Sequence, residues 1–213
     1  MSTLAIIAST LLLGAAGPET GGMMEASCRL IAQGDDILHD GPDSLRAECP
    51  SVAGLQEAAD QALAAMDMNV RPVRFQTVAV ARSIHFGRNN GRWTPLPGQR
   101  VIWTELLFPV RAIEYGAQHM LCALAISPDA TGRPRDVEAE CLSDVRSQQS
   151  RLARSARRAA DDWRYLPVAL EYCLDEQIHE SMQVNVQRIG QNRTFNPGPM
   201  PNPADLPNLC AAD

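Results

Sequence analysis

Two stretches of alternating residues, each bounded by cysteines, constrain this chain more than any other feature. The first reads Cys28-x-Leu30-x-Ala32, then a turn rich in Gly and Asp, then Leu45-x-Ala47-x-Cys49. The second reads Cys122-x-Leu124-x-Ile126, then Pro128-Asp129 through Gly132, then Val137-x-Ala139-x-Cys141. Period-two alternation about such a turn predicts a β-hairpin. If each cysteine faces its mate, Leu30 lies opposite Ala47 and Ala32 opposite Leu45, while Leu124 lies opposite Ala139 and Ile126 opposite Val137. Every residue on the cysteine side is then apolar, with Arg46, Glu48, Glu138 and Glu140 on the other face. A slip of one residue would mix the faces, so a single register is selected. Opposed residues of an antiparallel ladder lie roughly 4.5–5.5 Å apart at Cα, within reach of a disulfide. The pattern predicts Cys28–Cys49 and Cys122–Cys141 bridges, each closing a loop of about 20 residues and contributing on the order of 3 kcal/mol. The rival reading is reduced cysteines packed as small hydrophobes.

An amphipathic helix is expected after each hairpin. Leu55, Ala59, Ala62 and Met66 recur at helical steps in the first copy, and Leu152, Ala156, Ala159 and Trp163 in the second. Pro72 and Pro167 are expected to end these helices, because proline lacks an amide donor. A closing strand follows each, Val73 to Phe86 and Met182 to Ile189. The chain thus reads as α+β, two tandem ββαβ units, each a small antiparallel three-stranded sheet with a helix on one face. The expected boundaries are 1–22 for an export signal, 23–86 for the first unit, 87–106 for a polar Gly/Pro linker, 107–190 for the second unit and 191–213 for a Pro/Asn-rich tail. Cys173 and Cys210 are left over, and a bridge between them is inferred by elimination alone.

Leu4 to Ala16 is an almost unbroken apolar run, shorter than the ~20 residues of a membrane-spanning helix and suited to the core of a secretory signal. Cleavage after Ala16 is the favoured reading; an uncleaved anchor and a cytosolic apolar N-terminus are the alternatives. An even count of six cysteines without a C-x-x-C pair fits an oxidising compartment. All 19 basic residues are Arg, which with abundant Ala points to a GC-rich bacterial gene and hence the periplasm. The formal charge of −6 argues against a nucleic-acid partner, which calls for a basic surface.

From Leu107 to Ile189 the chain resembles the C-terminal domain of TonB, the periplasmic energy-transducer family that includes the related TolA modules. Phe108-Pro109 with Ala112 and Gly116 resembles the family's Tyr-Pro lead-in and short helix. Ile126-Ser127-Pro128-Asp129, Gly132 and Asp136-Val137 resemble its hairpin, although Ala130-Thr131 expand the turn. Leu152 to Ala160, Trp163-Arg164-Tyr165 and Pro167 resemble its helix and Trp-Arg-aromatic signature, and Met182 to Val186 its last strand. The first unit resembles it only through the second, with Met66-Asp67-Met68 standing where Trp163-Arg164-Tyr165 stands.

The resemblance implies a module that docks peptide segments of outer-membrane transporters, or other envelope proteins, by adding a strand to its closing edge. The expected docking residues are Met182, Gln183, Val184, Asn185, Val186, Gln187 and Arg188. The competing expectation is an edge covered by the first unit, the tail or a second molecule; a further alternative is a structural envelope protein that uses the same edges for self-assembly, as a homodimer or larger. Without a membrane-spanning helix or a spacer before the domain, a binding module is favoured over a complete energy transducer. No catalytic, cofactor or metal residue is expected: His39, His85, His119 and His179 stand singly, and no hydrolase or phosphate-loop motif is present. A secreted hydrolase with a dispersed site is the least favoured alternative. Trp163 is assigned to the core, and Trp93 and Trp103 to the junction between units. Arg146, Arg151, Arg154, Arg157 and Arg158 mark a solvated helix face, with an anionic partner as the alternative.

Overall fold

Alternation around the cysteines produces the two hairpins. The computed structural model describes residues 24–34, 37, 41–70, 77–105, 108–167 and 178–185. In the first hairpin β1 (Met24–Gln33) pairs with β2 (Ser44–Glu48), setting Leu30 opposite Ala47 and Ala32 opposite Leu45. Cys28 and Cys49 are bonded, 4.2 Å apart at Cα. The helix α1 (Leu55–Ala64) follows, with Leu55, Ala59 and Ala62 turned into the core.

The first unit departs from expectation at its closing strand and beyond. The region expected as one strand, Val73 to Phe86, contains two short strands, β3 (Val78–Val80) and β4 (Ser83–Asn89), while 71–76 lie outside the described residues. The chain changes partners between them: Ala81 N–H donates to Val101 O, and Arg82 O accepts from Leu30 N–H. The expected linker, 87–106, is also ordered into strands. Asn90 (φ 49°) and Gly91 (φ 81°) occupy the left-handed region that a two-residue hairpin turn requires, so β5 (Arg92–Pro95) folds back on β4. Asn-Gly between strands is a hairpin signal, and the abundance of polar residues masked it. The resulting sheet has four strands, β2-β1-β4-β5, rather than three.

The second unit starts with the short α2 (Val110–Glu114), then the hairpin β7 (His119–Pro128) and β8 (Pro134–Ser143), after β6 (Arg100–Thr104) has entered a separate sheet. Cys122 faces Cys141 in the ladder and is bonded to it, with Leu124 opposite Ala139 and Ile126 opposite Val137. A register shift between Ser127 and Pro128 absorbs the longer turn. Asp129 organises that turn by accepting from the Thr131 and Arg133 amides (2.8 and 3.1 Å) and from the Thr131 hydroxyl (2.7 Å). Burial pushes its carboxyl upward, but those bonds and the Arg133 charge prevail and hold it below its ordinary value. The helix α3 (Gln149–Ala160) lies on β8 and β7, burying Leu152, Ala156 and Ala160. Met120 to Ser127 are all buried, on both faces of β7. Ala123 and Ala125 are small and sit between longer neighbours, Glu140 and Ser181 for one, Glu138 and His179 for the other.

A third sheet, β3-β6-β9, joins the two halves; β9 is Arg164–Tyr165, the middle of the Trp-Arg-Tyr segment. Neither helix runs on to its proline. α3 stops at Ala160 because Arg164 and Tyr165 pair with β6, and α1 stops at Ala64, after which Asp67 N–H donates to Thr131 O (2.9 Å). Val101, Ile102 and Leu166 belong to the first core, whereas Trp163 and Tyr165 belong to the second and Trp103 packs against it. Trp93 is not at the junction: it fills the first core, and its indole donates to Ala53 O. Gly132 has φ 77°, and a Cβ there would fall 1.8 Å from Tyr165 O, so the turn admits only glycine. Arg164, 2% exposed, pairs with Asp67 (3.4 Å) and donates to the Asn69, Asp161 and Trp163 carbonyls. Burial lowers its pKa, which the Asp67 carboxylate partly offsets.

Candidate functional site

The candidate docking edge is the outer side of β10 (Ile178–Asn185). It pairs antiparallel with β7 from Ile178 opposite Ile126 to Asn185 opposite His119, giving the order β10-β7-β8. Among the described residues no strand pairs with its other side. The strand begins four residues before the expected Met182. Of the expected docking residues, Met182, Gln183, Val184 and Asn185 lie on it, whereas Val186, Gln187 and Arg188 lie outside the described residues, as do Cys173 and Cys210. Met182 and Val184 turn toward the second core, so their side chains hold the strand down and its backbone is what remains for a partner.

Ile178 to Ser181 were missed because Glu180 interrupts the apolar alternation. It falls in register with Ile178, Met182 and Val184, on the core side, where a carboxylate is costly unless paired. Here it is paired: Glu180 lies 3.5 Å from the Arg100 guanidinium and accepts from the Tyr165 hydroxyl at 3.5 Å. Arg100 in turn sits 4.1 Å over the Trp163 ring and 5.1 Å from the Trp103 ring centre. Burial pushes the Glu180 carboxyl above its ordinary value, against the opposing pull of Arg100 and the Tyr165 bond. The Tyr165 phenol is raised, by burial first and the Glu180 charge second. This cluster couples β10 to the third sheet.

The first half has the same ladder with its edge filled. Cys28 pairs with Ile84 as Cys122 pairs with Met182, so β4 is the counterpart of β10. The outer side of β4 carries β5, from Phe86 opposite Pro95 to Asn89 opposite Arg92.

Elsewhere the histidines stand apart. His85 N–H donates to the Gln99 side chain, His119 N–H to Asp144, and His179 lies opposite Ala125, while His39 is outside the described residues. No three His, Cys, Asp or Glu among the described residues gather where they could hold a metal ion. No helix among them is long and apolar enough to cross a membrane. No protein-family model, curated protein or solved structure matches the chain.

Proposed function

We propose that this protein is an exported, periplasmic docking module that takes an extended peptide along the outer side of β10 by strand addition. The observation carrying the reading is the contrast between equivalent edges: β4 holds a fourth strand, and β10 holds none among the described residues. Backbone groups on such an edge are ready donors and acceptors, each bond contributing about 0.5–1.5 kcal/mol net, so five or six suffice for a transient complex. The ordered motifs from Phe108 to Val186 that resemble TonB C-terminal domains make segments of outer-membrane transporters, or of other envelope proteins, the natural ligands. The two disulfides favour an oxidising compartment, which agrees with the apolar run at Leu4 to Ala16 acting as an export signal.

Titration of the labelled full chain with a short peptide from the N-terminal segment of an outer-membrane transporter should shift the amides of 178–185, and the same peptide N-methylated at alternate residues should bind at least tenfold more weakly. Undiminished binding of the methylated peptide would place recognition in side-chain pockets instead. A concentration-dependent dimer in which those amides are already protected would favour the self-assembling alternative.

A further inference from the structure

The protein is acidic, yet one cleft of the second half is lined by four guanidiniums and no carboxylate. Arg111 of α2 and Arg151, Arg154 and Arg158 of α3 border about 350 Å³ with Pro109, Val110 and Ser155. A basic stripe on one helix usually means no more than a solvated face. This one differs because Arg111 arrives from a separate element, so the convergence is a product of the fold and not of helical spacing. The described ion pairs use Arg46, Arg100, Arg135 and Arg164, and none of the four cleft arginines. Arg151 donates to the Gln148 side chain and lies 5.9 Å from the Tyr115 ring centre. The acid that Arg158 acts upon, Asp161, lies just past the end of α3 and outside the cleft lining. From 145 to 160 the sequence has five arginines and no acid.

Apolar side chains complete the picture. Val110, 69% exposed, lines the cleft, and Tyr115, 66% exposed, sits beside Arg151; with Met24 they are the exposed large hydrophobics of the described residues. We infer that this cleft seats headgroup phosphates of an anionic phospholipid surface, with Val110 and Tyr115 entering the interfacial layer beside them. Guanidinium forks match phosphate oxygens two at a time, and a phosphate relieves the mutual repulsion of the gathered cations. Tyrosine and small apolar side chains next to a basic cluster are the composition of surfaces that rest on a bilayer. The overall −6 charge does not forbid this: charges more than ~8–10 Å away are screened at physiological salt, and Glu114 of α2 and Asp161 after α3 stay outside the cleft lining. An acidic peptide would engage the arginines but offer Val110 and Tyr115 no apolar layer. The inference uses α2 and α3 and requires nothing of β10.

The test is partition of the full chain onto phosphatidylglycerol and phosphatidylcholine vesicles, read as the ratio between the two. That ratio cancels any headgroup-independent apolar contribution from Leu4 to Ala16. The wild type should prefer phosphatidylglycerol, with the preference falling as salt rises. Each cleft arginine near the surface is worth about fivefold, so R111Q/R154Q/R158Q should lower the ratio on the order of 100-fold, and R154Q alone about fivefold. R92Q, at an exposed position of β5, should leave it unchanged. V110S/Y115S should weaken binding to both vesicles. Equal partition of the wild type onto both lipids would overturn the inference, as would a triple variant that keeps the preference. Saturable binding of inorganic phosphate or of a glutamate-rich peptide, lost in the triple variant but without any lipid preference, would overturn it too. The variants should still show the peptide-induced shifts along 178–185, so failure here and failure of the docking reading are told apart.

Discussion

The two halves share a ladder and differ in what lies beside it. In each, a central strand carries a cysteine bonded to one in or just past the next strand in sequence, and it faces a closing strand on its other side, Cys28 with Ile84 and Cys122 with Met182. In the first half an Asn-Gly turn returns the chain immediately, so β5 occupies the edge of β4. In the second, the described part of β10 has its partner on one side only. The comparison teaches that this ladder accepts an added strand, and that one half has satisfied this capacity from its own sequence.

The largest expected effect tests how firmly the turn of the second hairpin is held against β9. Gly132→Val forces a β-branched residue into a left-handed conformation against the Tyr165 carbonyl, and should cost about 4 kcal/mol or more. Urea unfolding should show that loss. A variant within 1 kcal/mol of wild type would mean that the turn and β9 separate easily.

Next come the bridges, with sequence separations of 21 and 19. C28S/C49S and C122S/C141S should each cost about 3 kcal/mol by chain entropy, and by nearly the same amount. Unequal losses, read from denaturation midpoints, would break the equivalence of the two hairpins.

A smaller effect sharpens the contrast between edges. Gly91→Val, at φ 81° with open space around its Cα, should cost about 1–2 kcal/mol by straining the turn alone. Loosening β5 exposes the edge of β4, so the variant should acquire either peptide-induced shifts along 83–89 or self-association on a sizing column. An edge that stays inert when β5 is loosened would show that strand addition is not a general property of this ladder.

The smallest effect concerns Glu180. Its pKa is raised in the fold above the ordinary 4.5, so its contribution is present below about pH 4.5 and lost as pH rises through the raised value. Glu180→Gln should therefore remove a fall in stability that the wild type shows between pH 4 and pH 7, read as a flatter pH dependence of the denaturation midpoint. Destabilisation at pH 7 would instead mean that the Arg100 pair outweighs the burial.

Local signals made much of the fold legible. Both hairpin registers and both bridges follow from alternation together with cysteine position, because a one-residue slip would invert every side chain. The buried faces of α1 and α3 follow from spacing, and so does the burial of Trp163, which stands beyond the end of α3 at 1% exposure. What escaped was decided by distant partners. Pairing of Arg164 and Tyr165 with β6 overrode the proline as the end of α3, and the switch at Ala81-Arg82 needs Val101 and Leu30, which no local pattern announces. The candidate site was half legible: Met182 to Asn185 alternate cleanly, whereas Glu180 conceals the start of β10 until Arg100 and Tyr165 are seen beside it. The convergence of Arg111 with the α3 arginines likewise requires the fold.

Leu166 seals the first core from a position far beyond the strands and helix that make up the rest of it. While the intervening residues are still being synthesised, on the order of several seconds at ~5–20 residues per second, the leading half has its strands but not this side chain of its core. Completion of the first core therefore waits on a residue that only the second half delivers.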